Sequence, residues 1–249
     1  MDRTELLSRE RLAGYDPERL ERAVILLVGA GAAGCNIALD LALSGVGELR
    51  VVDFDHVEAS NVSRAPLFRR ERLVGGRVRH KARELAQGFL AFSYAANPLA
   101  RFAVAPVQAL GLGAFQGVDV VISAVDGFRD RAWLSDAARA CGVPFIEVGF
   151  SAPRGHVSVF PNRSSEEPGW RCLMPGADTG GISCALYARS VCAGDRKGRH
   201  LSRAVSGAIL QSNAVHLGDG ARSSGRCNAS VCLPLVVGAV DSRAWSGGL

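Results

Sequence analysis

Ala23-Val-Ile-Leu-Leu-Val-Gly-Ala-Gly-Ala-Ala-Gly34 is the stretch that decides the fold. Its apolar half is strand-length, and a run without alternation fits a strand buried on both faces. It ends in Gly29, Gly31 and Gly34. Glycines so spaced let a chain turn sharply out of a strand, bring its backbone close to a phosphate, and open a helix whose N–H groups face the anion. The same turn can also join strand to helix with no ligand. Residues 32–44, which follow, are apolar on every side, as in a helix packed on a sheet.

Working outward, strands are expected at 23–28, 49–53, 101–105, 118–124, 144–149 and 155–160. Helices are expected at 32–44, 78–89 and 129–141. Such alternation implies parallel pairing through right-handed crossovers. The fold class is α/β, with a doubly wound, Rossmann-like, mostly parallel sheet and a ligand at the carboxyl ends of its strands. Residues 4–22 read as helical, with Pro17 near the start of a second helix. Residues 161–183 are rich in Gly, Pro and Ser and show no period; a loop so long is usually functional or disordered. Helices at 185–191 and 200–217 and a strand at 231–240 would follow. The chain therefore reads as one domain over 1–249. It comprises an N-terminal helical arm (1–22), a core (23–160), a long crossover and cysteine loop (161–199), and a C-terminal helix and strand extension (200–249).

With 48% hydrophobic and 21% charged residues the chain should be soluble and globular. No apolar run approaches the roughly 18–20 residues that cross a bilayer, and the N-terminus lacks signal-peptide order. A cytoplasmic protein without a membrane partner is expected. The cysteines number seven, an odd count that argues against a disulfide framework. Cys35 and Cys141 are expected to be small buried side chains on core-facing helices. The formal net charge is +5, and eight Lys or Arg residues crowd 64–83. No aromatic residues interleave them as a single-strand binder would need, so nucleic acid is not expected. A channel facing phosphates, bracketed by Arg64 and Lys81, is the third reading beside a solvated surface.

The second informative stretch is Val51-Val-Asp-Phe-Asp-His-Val-Glu-Ala-Ser-Asn-Val-Ser-Arg64. Asp53 ends the second strand, about twenty residues after the glycines, where a carboxylate accepts from ribose hydroxyls; Asp55 is a competitor. Asn61 can reach phosphate or ribose, Arg64 offers a planar fork to phosphate, and Lys81 a point charge from the next helix. A dinucleotide enzyme has no standard need for Asn61 and Arg64. Asp126 follows the fourth strand. It is placed either to hold Mg²⁺, which needs only one or two protein carboxylates beside phosphate oxygens, or to cap the next helix. The two roles can coexist. His56 and His80 lie near the nucleotide loop and read as surface residues, and none of the five histidines has a partner at a metal-ligand spacing.

These residues resemble the ubiquitin-activating enzyme superfamily, in particular its short bacterial ThiF/MoeB-like members. The resemblance rests on Gly29–Gly34, Asp53, Ser60-Asn-Val-Ser-Arg64, Lys81 and Asp126, and runs from about Leu6 to Gly218. It extends to Trp170-Arg-Cys-Leu-Met-Pro175 and to the segment bearing Gln211. Ser8-Arg9-Glu10 is similar to the family's Ser-Arg-Gln, which lends an arginine to a neighbouring subunit. The resemblance implies that the C-terminal carboxylate of a ubiquitin-like or sulfur-carrier protein, ending in small residues, attacks the α-phosphate of ATP. Gly29, Gly31, Gly34, Asp53, Ser60 and Asn61 would bind nucleotide. Arg64 and Lys81 would neutralise phosphates, Asp126 would hold Mg²⁺, and Arg9 would act across a homodimer. A thioester would then form on Cys184, with Cys192 the runner-up. A conjugating enzyme would dock on the same dimer.

The chain departs from that family at several points. Gly169 stands where the first zinc cysteine is usual, and Cys227 and Cys232 are separated by four residues. Only Cys172, Cys227 and Cys232 map onto a four-ligand site, so a structural zinc of the usual kind is not expected; Cys192 or His200 could complete an irregular one. Gly127 replaces a polar residue and Ala65 a glutamine. These changes suit an activating enzyme of a bacterial ubiquitin-like conjugation or defence system. Two other classes stay open. A nicotinamide-dependent oxidoreductase would use the glycines and Asp53 but leave Asn61, Arg64 and Lys81 idle. A non-catalytic half of a heterodimer would have lost the phosphate-handling set.

Overall fold

The structure, a computed structural model, describes residues 5, 8–12, 14–69, 78–151, 154–163, 167 and 169–173. Cys184, Cys192, His200, Gln211, Cys227, Cys232 and the expected elements beyond residue 183 lie outside them. Helices α1 (Ser8–Leu12) and α2 (Pro17–Arg22) precede strand β1 (Val24–Val28). Asp16 caps α2 by accepting from the N–H groups of Glu18 and Arg19, and Pro17 fills the first turn, where no amide is needed.

Six strands form one sheet in the order β3-β2-β1-β4-β5-β6. They are β1, β2 (Glu48–Val52), β3 (Leu99–Ala103), β4 (Val120–Ser123), β5 (Phe145–Ser151) and β6 (Arg154–Phe160). The first five are parallel, and β6 runs antiparallel beside β5. The order reverses between β1 and β4, the switch point at which doubly wound sheets bind ligands. The apolar run of β1 serves both faces. Ile25 and Leu27 join α3 (Ala32–Leu43) and α4 (Lys81–Phe92) through Ile37, Leu41, Leu85 and Phe89. Leu26 and Val28 join α6 (Phe128–Ala140) through Leu134 and Ala138 on the other face. Strand β1 is therefore held by burial on two sides, each Å² of apolar surface removed from water contributing about 25 cal/mol.

The boundaries differ from expectation where tertiary contacts intervene. Register against β2 starts β3 at Leu99, opposite Glu48, so Val104 and Ala105 fall beyond the sheet. Helix α4 starts at Lys81, because Val57 N–H donates to the Arg79 carbonyl and His56 bridges His80, holding the preceding residues extended. Short helices at Val107–Leu110 (α5) and Gly111–Phe115 (3-10) occupy a stretch with no clear periodicity. Helix α7 (Trp170–Leu173) lies inside the segment read as aperiodic. Tertiary contact explains it: Trp170 is fully buried beside Phe128, and its backbone N–H donates to Ser135 Oγ. Cys35 is buried as expected, but Cys141 is exposed; it is the C-cap residue of α6, where the helix ends ahead of Gly142 at φ 65°.

Candidate active site at the sheet switch point

A cleft of about 430 Å³ opens at the carboxyl ends of β1, β2 and β4. It is lined by Gly29, Gly31, Asp53, Asn61, Arg64, Lys81 and Asp126, among others. These residues span some ninety-odd positions of sequence, and three parallel strands deliver them to one place.

Each glycine has a different physical reason. Gly29 sits at φ +98°, and a Cβ there would lie 2.6 Å from the Ala124 carbonyl oxygen. Gly31 is the N-cap of α3 and has nothing within 4 Å of where its Cβ would be, so the backbone is open to a ligand. Gly34 does not border the cleft; a Cβ there would overlap the Gly29 carbonyl oxygen. Its absence lets α3 start tight against the turn. The first turn of α3 holds no acidic side chain to compete for its free N–H groups.

Asp53 is already engaged. Its carboxylate accepts from Ala30 N–H at 2.6 Å and from Asp55 N–H at 2.7 Å, so it ties the glycine turn to the β2 exit. An ionised carboxylate has about four acceptor positions, which leaves room for ribose hydroxyls. Lys81 Nζ lies 2.7 Å from Asp55, which assigns Asp55 to the lysine. Arg64 is exposed and turns back to donate to the Ser60 carbonyl at 2.7 Å. Asn61 closes a capping box with Glu58: its Oδ1 accepts from Glu58 N–H at 3.1 Å. Ser60 stays off the cleft, its hydroxyl donating to Glu58.

Asp126 is exposed at the mouth of the cleft. It is not the cap of α6, because Gly127 occupies that position without any side-chain bond. Asp130, one turn into α6, also lines the cleft and accepts from Gln108 Nε2 at 2.7 Å. A Cβ on Gly127 would stand 3.1 Å from Asp130 Oδ2, so the missing side chain makes room for this second carboxylate. Sequence reading missed Asp130 and Gln108. The signal was there, since Asp126 and Asp130 are four apart on a helix start. No group of three or more metal-ligating side chains occurs among the described residues. One or two carboxylates are nonetheless what Mg²⁺ needs beside phosphate oxygens and water, so the oxygen donors here fit that ion.

Beside Gly34 and Ser60, which do not line the cleft, two expected site residues lie outside what is described. Arg9 lies in α1, whose side chain there is not described, and Cys184 lies beyond the described residues. Burial pushes the Cys35 thiol far above its ordinary pKa, so it is inert. Burial raises that of Cys141 as well.

The profile of the ThiF family matches residues 7–214. The chain belongs to the ThiF family. Among relatives of this ThiF-family chain, Thermus thermophilus Sulfur carrier protein adenylyltransferase is 35% identical over 164 residues, covering 64% of this chain and 58% of that protein. Mycobacterium tuberculosis Probable adenylyltransferase/sulfurtransferase MoeZ is 32% identical over 200 residues, covering 72% and 48%. Human Ubiquitin-like modifier-activating enzyme 7 is 35% identical over 159 residues, covering 59% and 15%. The chain thus spans from 15% to 58% of the length of these relatives. Among solved structures, PaaA superposes with TM-score 0.63 at 20% identity, covering 84% of this chain and 64% of that one. Escherichia coli MccB with ATP superposes with TM-score 0.58 at 16% identity, covering 79% and 57%. Both share the Rossmann-like fold. No helix among the described residues is long and apolar enough to cross a membrane.

Proposed function

We propose that this ThiF-family chain is an ATP-dependent adenylyltransferase that activates the C-terminal carboxylate of a ubiquitin-like or sulfur-carrier protein. The observation that carries the reading is the meeting of the glycine turn, Asp53, Asn61, Arg64, Lys81 and Asp126 in one cleft at the switch point. Relatives named as adenylyltransferases support it.

In the reaction, a carboxylate oxygen of the partner attacks the α-phosphorus. The bond to the bridging oxygen breaks, pyrophosphate leaves, and an acyl-adenylate remains. The chain works by positioning and charge neutralisation. Asp53 holds ribose and the glycine turn together. Arg64 swings from the Ser60 carbonyl, and Lys81 from Asp55, to face phosphate oxygens. Asn61 turns its amide to the same group. Asp126, with Asp130 beside it, would hold Mg²⁺, whose charge would offset that of the phosphates. Arg9 reaches the site of a second copy in a homodimer, and the Cys184 thiolate attacks the acyl-adenylate carbonyl, breaking its bond to phosphate, so that a thioester forms and AMP leaves. The finer setting is a ubiquitin-like conjugation system; activation of a sulfur carrier for cofactor synthesis uses the same first step.

ATP–pyrophosphate exchange with candidate ubiquitin-like and sulfur-carrier partners tests this. Exchange should require the partner, Mg²⁺ and Arg64, and should survive Cys184→Ala. Absence of exchange with every partner, despite ATP binding, would move the assignment to a non-catalytic nucleotide-binding protein.

A further inference from the structure

Behind the Asp126 loop lies a buried charged group that the reaction above does not use. Arg131, on the second turn of α6, is 4% exposed. Its Nε and Nη2 donate to the Val125 carbonyl at 2.9 and 2.7 Å. Its Nη1 donates to Glu147 Oε1, and Glu147 is completely buried on β5. His156 Nε2 lies 2.7 Å from the other oxygen of Glu147. Because Glu147 already accepts from a guanidinium, the imidazole Nε2–H is the donor. Gly149 pairs with His156 across β5 and β6, and any Cβ there would overlap the imidazole and stand 2.6 Å from Arg131 Nη1.

We infer that Arg131, Glu147 and His156 are positioning residues that fasten the Val125–Gly127 loop, and so set where the Asp126 carboxylate meets the metal–nucleotide complex. The geometry argues for this over simple core filling. A planar guanidinium that puts two N–H groups on one carbonyl fixes that carbonyl's place and direction, and Val125 is the residue immediately before Asp126. Gly127 itself has no side chain with which to hold the loop and caps α6 without a side-chain bond. The loop's fixed point is therefore a side chain of α6 that is itself held from β5 and β6. Glu147 orients the guanidinium, and His156 orients Glu147. In effect the antiparallel β5–β6 pair sets the geometry of a metal-holding loop at the switch point. Groups that orient a metal-holding carboxylate from behind typically change metal affinity about 10–100-fold when lost.

The inference rests on the adenylation reading for its consequence but not for its geometry, so two measurements are made on the full chain. The first is hydrogen exchange of the peptide covering residues 124–128 without nucleotide. Glu147→Gln and His156→Phe should raise its exchange rate at least about tenfold over wild type, while His156→Gln, which keeps a donor toward Glu147, stays near wild type. The second is calorimetric binding of a non-hydrolysable ATP analogue across a Mg²⁺ series. The same two variants should need about tenfold more Mg²⁺ for half-maximal tightening, with affinity for the metal-free analogue within about twofold of wild type. Should Glu147→Gln fail to fold, Arg131→Lys replaces it; a lysine ammonium lacks the planar fork and should give the same shifts. Unchanged loop exchange in folded variants overturns the inference, as does equal loss of metal-free and Mg²⁺-dependent binding. A wild type that binds no nucleotide counts against the adenylation reading instead, while the exchange data still decide the positioning.

Discussion

Two ion pairs flank the cleft, and they differ in what surrounds them. In the β1–β2 half, Lys81 and Asp55 meet at 2.7 Å with their side chains 16% and 51% exposed. In the β4–β5 half, Arg131 and Glu147 meet with 5% and 0% exposed. An exposed pair contributes about 0–1 kcal/mol, because water and salt compete for both partners. Lys81 can therefore leave Asp55 at little cost. A buried pair is different in kind. Breaking it strands an uncompensated charge and costs about 3–5 kcal/mol, so Arg131 and Glu147 hold their geometry. One half of the sheet thus presents an ion pair open to exchange with solvent, and the other half keeps a buried pair that holds the Val125 carbonyl.

The comparison breaks most readily at its buried end. Glu147→Ala should lower unfolding free energy by about 3–5 kcal/mol in urea titrations; a loss below about 1 kcal/mol would mean the two pairs are alike. Arg64→Ala comes next. Removing a preorganised donor to developing charge should slow pyrophosphate exchange about 10²–10³-fold, with little change in melting temperature because Arg64 is exposed. A variant that melts early and exchanges normally would invert the assignment of the two halves. Gly34→Ala should destabilise by about 1–3 kcal/mol, since its new methyl must push the Gly29 carbonyl away. Asp55→Asn should have the smallest effect on folding, at most about 1 kcal/mol. Tighter binding of a nucleotide analogue in Asp55→Asn would sharpen the view that Asp55 is a placeholder for phosphate. Thiol chemistry gives an independent check of burial: iodoacetamide should label Cys141 well before Cys35 in the native protein, read by mass spectrometry, and equal rates would contradict the packing of α3.

The sheet was legible because its signals are local. The apolar run 23–28 must be buried on both faces, and a two-faced strand ending in glycines leads into a helix on a parallel sheet. The cleft was legible to the extent that its residues sit at strand ends, where topology brings chain-distant positions together; Asp53 directly follows β2, and Asp126 lies on the loop that leaves β4. Membership of the ThiF family followed from the same residues. Local signals could not give the start of α4, because a two-residue pairing between His56 and His80 overrides helix propensity there.

Sequence by itself indicated the doubly wound core, the glycine turn and the side chains that meet in the cleft, because strand length, glycine spacing and strand-end position are properties of the chain read in order. Tertiary structure alone decided which charges are spoken for. That Asp53 ties down the glycine turn, that Asp55 belongs to Lys81, that Asp130 accepts from Gln108, and that His156 reaches Arg131 through Glu147 all depend on approach between segments from different elements. The reason is physical. A side chain's chemistry is set by its type, but its partner is set by which strands lie side by side, and a β5–β6 pairing with Gly149 beneath an imidazole leaves no trace in either segment read alone.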